Sequence, residues 1–183
     1  MIERGSHLRV RRKALYWHHG IALGAEEVVE FGGGMQLLEK QGTTVRRVPL
    51  ESFRGDGDVE VVQHPITHMG LMYARSLPPE DVVDRAEWLV ENQPPPYRLG
   101  YRNCESIAIW CKAGYFESFQ AKYVFRWGVP LSLFTVILLK RRSRLVLPVF
   151  ALSTAISLGG SVPYIHGRAL FEHTRKYPGR GNW

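Results

Sequence analysis

Between Leu8 and Gln63, short β-rich runs at Tyr16 to Leu23, Glu27 to Phe31, Thr44 to Leu50 and Val59 to Gln63 alternate with glycine-rich breaks. Strand-forming runs separated by tight-turn residues predict strands. Gly32-Gly33-Gly34 and Gly55-Asp56-Gly57-Asp58 are the clearest breaks. No connection here is long enough to predict a crossover helix, so an antiparallel sheet is the simplest assembly.

Helical spacing follows. Ser76-Leu77-Pro78-Pro79-Glu80 reads as a cap with proline in the first turn, and DVVDRAEWLVEN carries apolar residues at helical spacing. The pattern predicts a helix from about Pro79 to Glu91, stopped by Pro94-Pro95-Pro96. A link through Tyr97 to Arg102 leads to a second helix, from about Asn103 to Ala113, ended by Gly114. The fold class is α+β, an antiparallel sheet packed with helices, followed by a C-terminal hydrophobic helical region.

That C-terminal region differs in character. Val129 to Leu139 carries no charge, Lys140-Arg141-Arg142-Ser143-Arg144 follows, and Leu145 to Ile165 is again uncharged. The second run is long enough to cross a hydrocarbon layer of about 30 Å. Pro148, Gly159-Gly160 and Pro163 are tolerated in membrane helices, and the basic cluster suits lipid headgroups. A buried or partner-covered helical tail is the competing reading. The expected division is 1–120 as the folded domain, 121–166 as a membrane-associated helical region reached through 129–165, and 167–183 as a basic tail.

Composition narrows the class. The chain has 183 residues, 45% of them hydrophobic and 11% aromatic, enough for one sizeable core and little more. A net charge of +7 suits an anionic partner without saying which. Nucleic acid is not expected, because no base-stacking motif accompanies the charge. The only two cysteines, Cys104 and Cys111, lie in one predicted helix, separated by roughly 10 Å at about 1.5 Å per residue. They should not pair, so a reduced thiol is available in a reducing, cytosolic or organellar compartment. The N-terminal MIERGSHLRVRRK lacks the apolar stretch of a secretory signal.

A nucleophilic thiol needs an electropositive, partly exposed position, and Cys104 opens a predicted helix, where free N–H groups and the helix dipole favour thiolate. The same N–H groups can hold an oxyanion, and an imidazole would complete the site as base and then acid. His18 and His19 are adjacent on a strand and must point to opposite faces, so only one of them can meet a given thiol. Cys111 reads as a small buried residue. His64 and His68 have a metal-ligand spacing only on a helix, which Pro65 argues against. Arg11-Arg12 and Arg46-Arg47 read as solvated strand faces. The glycine triplet has no following Lys-Ser or Lys-Thr to cradle phosphate. No cofactor or metal is expected.

YWHHGIALGAEEVVEF, well upstream of RNCESIAIWCKAG, resembles the lecithin:retinol acyltransferase (LRAT) family, in which a strand histidine precedes a Gly-Ile-type run and a later Asn-Cys-Glu motif opens a helix. The likeness extends to Gly5-Ser6-His7-Leu8, VRRVPLESF and Trp110-Cys111-Lys112-Ala113-Gly114. It implies a permuted papain-like fold with histidine before cysteine, Cys104 as the acylated thiol and His18 as its base. Many animal members have a second histidine on the next strand where this chain has Glu30, a carboxylate able to orient and charge an imidazole. Where the family commonly reads Asn-Cys-Glu-His-Phe, this chain reads Asn103-Cys104-Glu105-Ser106-Ile107. Glu105, in the first helical turn, is expected to be a dipole or structural residue.

The expected function is an LRAT-like acyltransferase or lipid hydrolase that takes an acyl group from a phospholipid or other acyl lipid through a Cys104 thioester. The alternative is a catalytically reduced LRAT-fold accessory subunit of a membrane protein complex.

Overall fold

The computed structural model describes residues 1–12, 16–32, 43–65, 67–68, 71–72, 75–95, 102–120 and 176–179. Strands β1 (His7–Arg12), β2 (Tyr16–Ala22), β3 (Glu27–Gly32) and β4 (Thr44–Pro49) lead into a short helix α1 (Leu50–Arg54) and strand β5 (Val59–Val61). A two-stranded ribbon, β6 (Thr67–His68) with β7 (Leu71–Met72), precedes helices α2 (Pro79–Glu91) and α3 (Cys104–Ala113). The main sheet has the order β4-β3-β2-β1-β5, every pairing antiparallel. The α+β class expected from the sequence is therefore the one observed among the described residues. The segments expected to reach a membrane, 129–139 and 145–165, lie outside the described residues. Among the described residues no helix is long and apolar enough to cross a membrane.

Side chains alternate between two unequal cores. On one face Ile21, Val29, Phe31 and Val45 pack against Val82, Val83, Ala86 and Leu89 of α2 and Ile107, Ala108, Trp110 and Cys111 of α3. On the other, Leu8, Val10, Ala22 and Val28 close around Phe53 of α1. Burying such side chains contributes about 1.5–3 kcal/mol each, so both faces of β2 and β3 are held, and register is strongly specified. Gly20 is required by this second core. A Cβ there would stand 2.6 Å from Val28 Cγ1 and 2.9 Å from Phe53 Cε2.

Three elements depart from the sequence reading. HLRVRR forms β1, a strand absent from the sequence expectation, because Leu8 and Val10 face the Phe53 core. Leu50, expected to finish a strand, instead opens α1, whose amide donates to Glu26 O at 2.7 Å. Ser76 does not cap α2. The N-cap is Pro78, with Pro79 in the first turn, and Ser76 Oγ donates to Leu77 O at 2.9 Å. Both helices otherwise keep their predicted limits to within one residue, and Gly114 closes α3 at φ 83°.

Helices α2 and α3 are tied by a buried cation. Arg85, 1% exposed, donates to Trp110 O at 3.3 Å and lies over the Trp110 ring at 4.8 Å and the Tyr177 ring at 5.3 Å. Aromatic faces are among the few apolar surfaces that solvate a guanidinium. The helix pair thereby holds the N-terminus of α3 against the sheet.

Candidate active site

Cys104 is the first residue of α3, and its position follows from the cap before it. Asn103 Oδ1 accepts from Ser106 N–H at 2.9 Å, while Ser106 Oγ accepts from Asn103 N–H at 3.0 Å, a reciprocal capping box. Ser106, which stands where the family commonly has histidine, therefore has a definite task. Glu105 is buried and structural. Its Oε2 accepts from Ser118 Oγ at 2.6 Å and from Gln120 N–H at 3.0 Å, which fixes the 118–120 segment beside the helix start. Burial raises its carboxyl above the ordinary range, against those hydrogen bonds.

Cys104 Sγ lies 4.0 Å from Trp17 O, and its thiol is near enough to His18 to favour the imidazole's proton. The thiol is more enclosed than the sequence reading expected, at 4% exposure. The other side of His18 faces Glu30, with Nε2 to Oε2 at 2.7 Å. Glu30 Oε1 is taken in turn by Arg46, which donates from Nε at 3.0 Å and Nη2 at 2.8 Å. Imidazole and carboxylate thus bond across β2 and β3, which leaves Nδ1 as the ring nitrogen able to meet the thiol. Gly32 leaves room for the pair, since a Cβ there would meet Glu30 Oε1 at 3.1 Å and His18 Cε1 at 3.4 Å.

Burial alone would strip His18 of its proton. Hydrogen bonds with Cys104 and Glu30, and the charge of both, outweigh that penalty and hold the imidazole up at about 9. Burial pushes Glu30 the opposite way from its partners, and the contacts from His18 and Arg46 win, keeping its carboxyl below the ordinary value. The proton therefore rests on His18 at neutral pH, next to a sulfur at the positive end of a helix.

His19 belongs to a different network. His7 Nε2 is 2.8 Å from His19 Nδ1, His7 Nδ1 is 3.1 Å from His64 Nε2, and His19 Nε2 is 3.0 Å from Gln120 Nε2. Gln120 Oε1 must accept from Trp17 N–H, at 2.8 Å, so its amide nitrogen faces His19 and donates. His19 then carries its proton on Nδ1, gives it to His7 Nε2, and His7 Nδ1–H does the same to His64. The chain has one polarity. It ends on His64 Nδ1, which is buried and finds no partner among the described residues. Burial, followed by the charge of His18, lowers His19 to about 3, burial and Lys112 lower His64 to about 4, and His7 also falls well below its usual value, through burial and its two histidine neighbours.

In the sequence His7 stands out only as part of a motif, His64 only beside a Pro65 that argues against a metal-binding helix, and Arg46 only as part of a solvated strand face. Gln120 was not singled out. No spacing rule brings these together, since they meet through strand register and the return of the chain after α3. Cys111 is buried, and burial pushes its thiol up to about 12. Among the described residues no group of three or more His, Cys, Asp or Glu converges on a metal position. The three imidazoles are strung in a row.

A sheet histidine paired with a carboxylate and set against a cysteine that opens a helix is the arrangement of a thiol acyl-transfer fold. Residues 1–117 match the family model described as lecithin retinol acyltransferase, and the chain belongs to that family. Acyltransferase- or hydrolase-like activity is what the family implies for it. Comparison with curated proteins returns no match.

Proposed function

We propose that this protein is a thiol-dependent acyltransferase or lipid hydrolase, in which Cys104 takes an acyl group from a phospholipid ester, His18 moves the proton, and Glu30 orients and charges His18. The observation that supports the reading is the buried His18–Glu30 pair at 2.7 Å, with the Cys104 thiol at the start of α3 near enough to favour the imidazole's proton. The Cys104 thiolate attacks the ester carbonyl, forming the S–C bond while the carbonyl electrons move to oxygen. Cap bonds occupy the N–H groups of Ser106 and Ile107, so the oxyanion falls to the amides of Cys104 and Glu105. Collapse breaks the ester C–O bond, and His18 Nδ1–H protonates the departing alkoxide. An amine, alcohol or water then gives its proton to neutral His18 and attacks the thioester. The C–S bond breaks, and thiolate and imidazolium are restored.

Residues 1–120 would carry this chemistry, with 121–166 holding the domain at its lipid and 167–183 as a basic tail. Such tethering raises effective concentration without adding chemistry. The reduced thiol needs a cytosolic or organellar, non-oxidising side of the membrane. Intact-mass analysis after incubation with a phospholipid tests the proposal. One acyl adduct is expected on the wild type and none on Cys104→Ala, with ping-pong kinetics for donor and acceptor. The alternative, a catalytically reduced accessory subunit of a membrane complex, is favoured by the enclosure of Cys104. A wild type that never becomes acylated would select it.

A further inference from the structure

Arg46 stands outside the catalytic cycle, yet it is the second partner of Glu30. Register sets the two residues directly opposite each other on β4 and β3. Both Arg46 donors reach Oε1, while Oε2 is left to His18 at 2.7 Å. Each carboxylate oxygen has its own cation, so Glu30 cannot rotate without breaking both contacts. The Arg46 side chain is 50% exposed and that of Glu30 7%, so the guanidinium bridges the rim and a buried charge.

Resting on the reading of the site given above, we propose that Arg46 is a positioning residue that sets how tightly His18 holds its proton. A buried carboxylate with His18 as its sole partner would direct its full charge at the imidazolium and make it a poor acid towards a departing alkoxide. Sharing that charge with a half-solvated guanidinium leaves the imidazolium formed but able to give its proton away. The other groups around His18 do not supply this effect. Cys104 of α3 acts on the ring as its nucleophile partner, and Phe53 of α1 lies tilted beside it, 5.4 Å between ring centroids, without charge. Tyr16 of β2 is a phenol pushed up by burial and by Cys104. Arg12 of β1 donates to the carbonyls of Phe53 and Arg54, and His19 is neutral on the opposite face. Arg47, one residue on, pairs with Glu87 of α2 at 2.9 Å and serves as a control.

The test is the pH dependence of Cys104 alkylation by iodoacetamide in the full chain, read by intact mass for wild type, Arg46→Met, Arg46→Lys and Arg47→Met. A thiolate held by an imidazolium reacts at a plateau and speeds up when the imidazolium ionises, so the upper inflection reports His18. In Arg46→Met that inflection should rise by about half to one pH unit, with kcat on phospholipid lowered several-fold and KM unchanged. Arg46→Lys should bring it part of the way back, and Arg47→Met should leave it alone. An inflection in Arg46→Met that stays put or moves down overturns the proposal. A wild-type profile with one ordinary thiol ionisation sinks the reading of the site itself, and Arg46's role with it.

Discussion

His18 and His19 are neighbours on one strand and both buried, at 9% and 4% exposure, yet one holds its proton to about pH 9 and the other loses it by about pH 3. Burial pushes both down. The partners differ: His18 lies between a sulfur and a carboxylate, His19 between a second imidazole and a primary amide. Depth in a protein therefore does not decide the charge of an imidazole; the groups within hydrogen-bonding reach do. One face of β2 is built to carry charge and the other to exclude it.

The largest effect that can break this comparison comes from exchanging roles. His18→Ala should lower kcat/KM by about 10²–10⁴-fold, the range for loss of a positioned acid–base group, and should also lower the unfolding midpoint at neutral pH, where the raised imidazole stabilises the fold. His19→Ala should keep most of the turnover and instead cost about 1–3 kcal/mol in urea unfolding, because His7 and Gln120 lose a buried partner. Equal losses of activity in the two variants would erase the distinction.

Acid and base should also separate the faces. His18 is raised in the folded state, so its stabilising contribution is complete below its unfolded value of 6.5 and disappears as pH climbs through about 9; turnover should fall over the same interval. His7, His19 and His64 are lowered, so their contribution is complete above 6.5 and drains away as pH drops towards about 4 for His64 and about 3 for His19. Glu30, also lowered, acts in the same direction only below its ordinary value of 4.5. Unfolding midpoints measured every half unit from pH 8 to 4 should already decline between 6.5 and 5. A flat curve there contradicts the neutral chain.

Smaller changes sharpen the geometry. Ser106→Ala removes half of the capping box and should cost about 1 kcal/mol in stability, together with a modest loss of thiol reactivity as the start of α3 loosens. Gly32→Ala introduces a Cβ within 3.1 Å of Glu30 Oε1. A several-fold fall in kcat at unchanged KM is expected, and full activity would mean that the His18–Glu30 pair has slack.

Much of the fold was legible because its signals are local. Proline at the start of α2 and apolar residues at helical spacing marked Pro79–Glu91, and Gly114 marked the end of Cys104–Ala113, whose first residue the sequence placed one position early, at Asn103. The first strand and α1 escaped because their reason is distant. Phe53, seated against Leu8, Val10, Ala22 and Val28, joins LESFR to HLRVRR, which also pairs with β2 and β5.

The site divides along the same line. By itself the sequence determined that a cysteine opens a helix, that histidine precedes it on a strand, that His18 and His19 face apart, and that a carboxylate lies one strand on. These follow from period, caps and motif, which are properties of neighbouring residues. The tertiary structure alone decided that Arg46 holds the far oxygen of Glu30, that Ser106 completes a cap, and that His7, His19, His64 and Gln120 share one line of hydrogen bonds. Hydrogen bonds act over about 3 Å, and it is the register and the return of the chain after α3 that bring residues far apart in sequence within that reach.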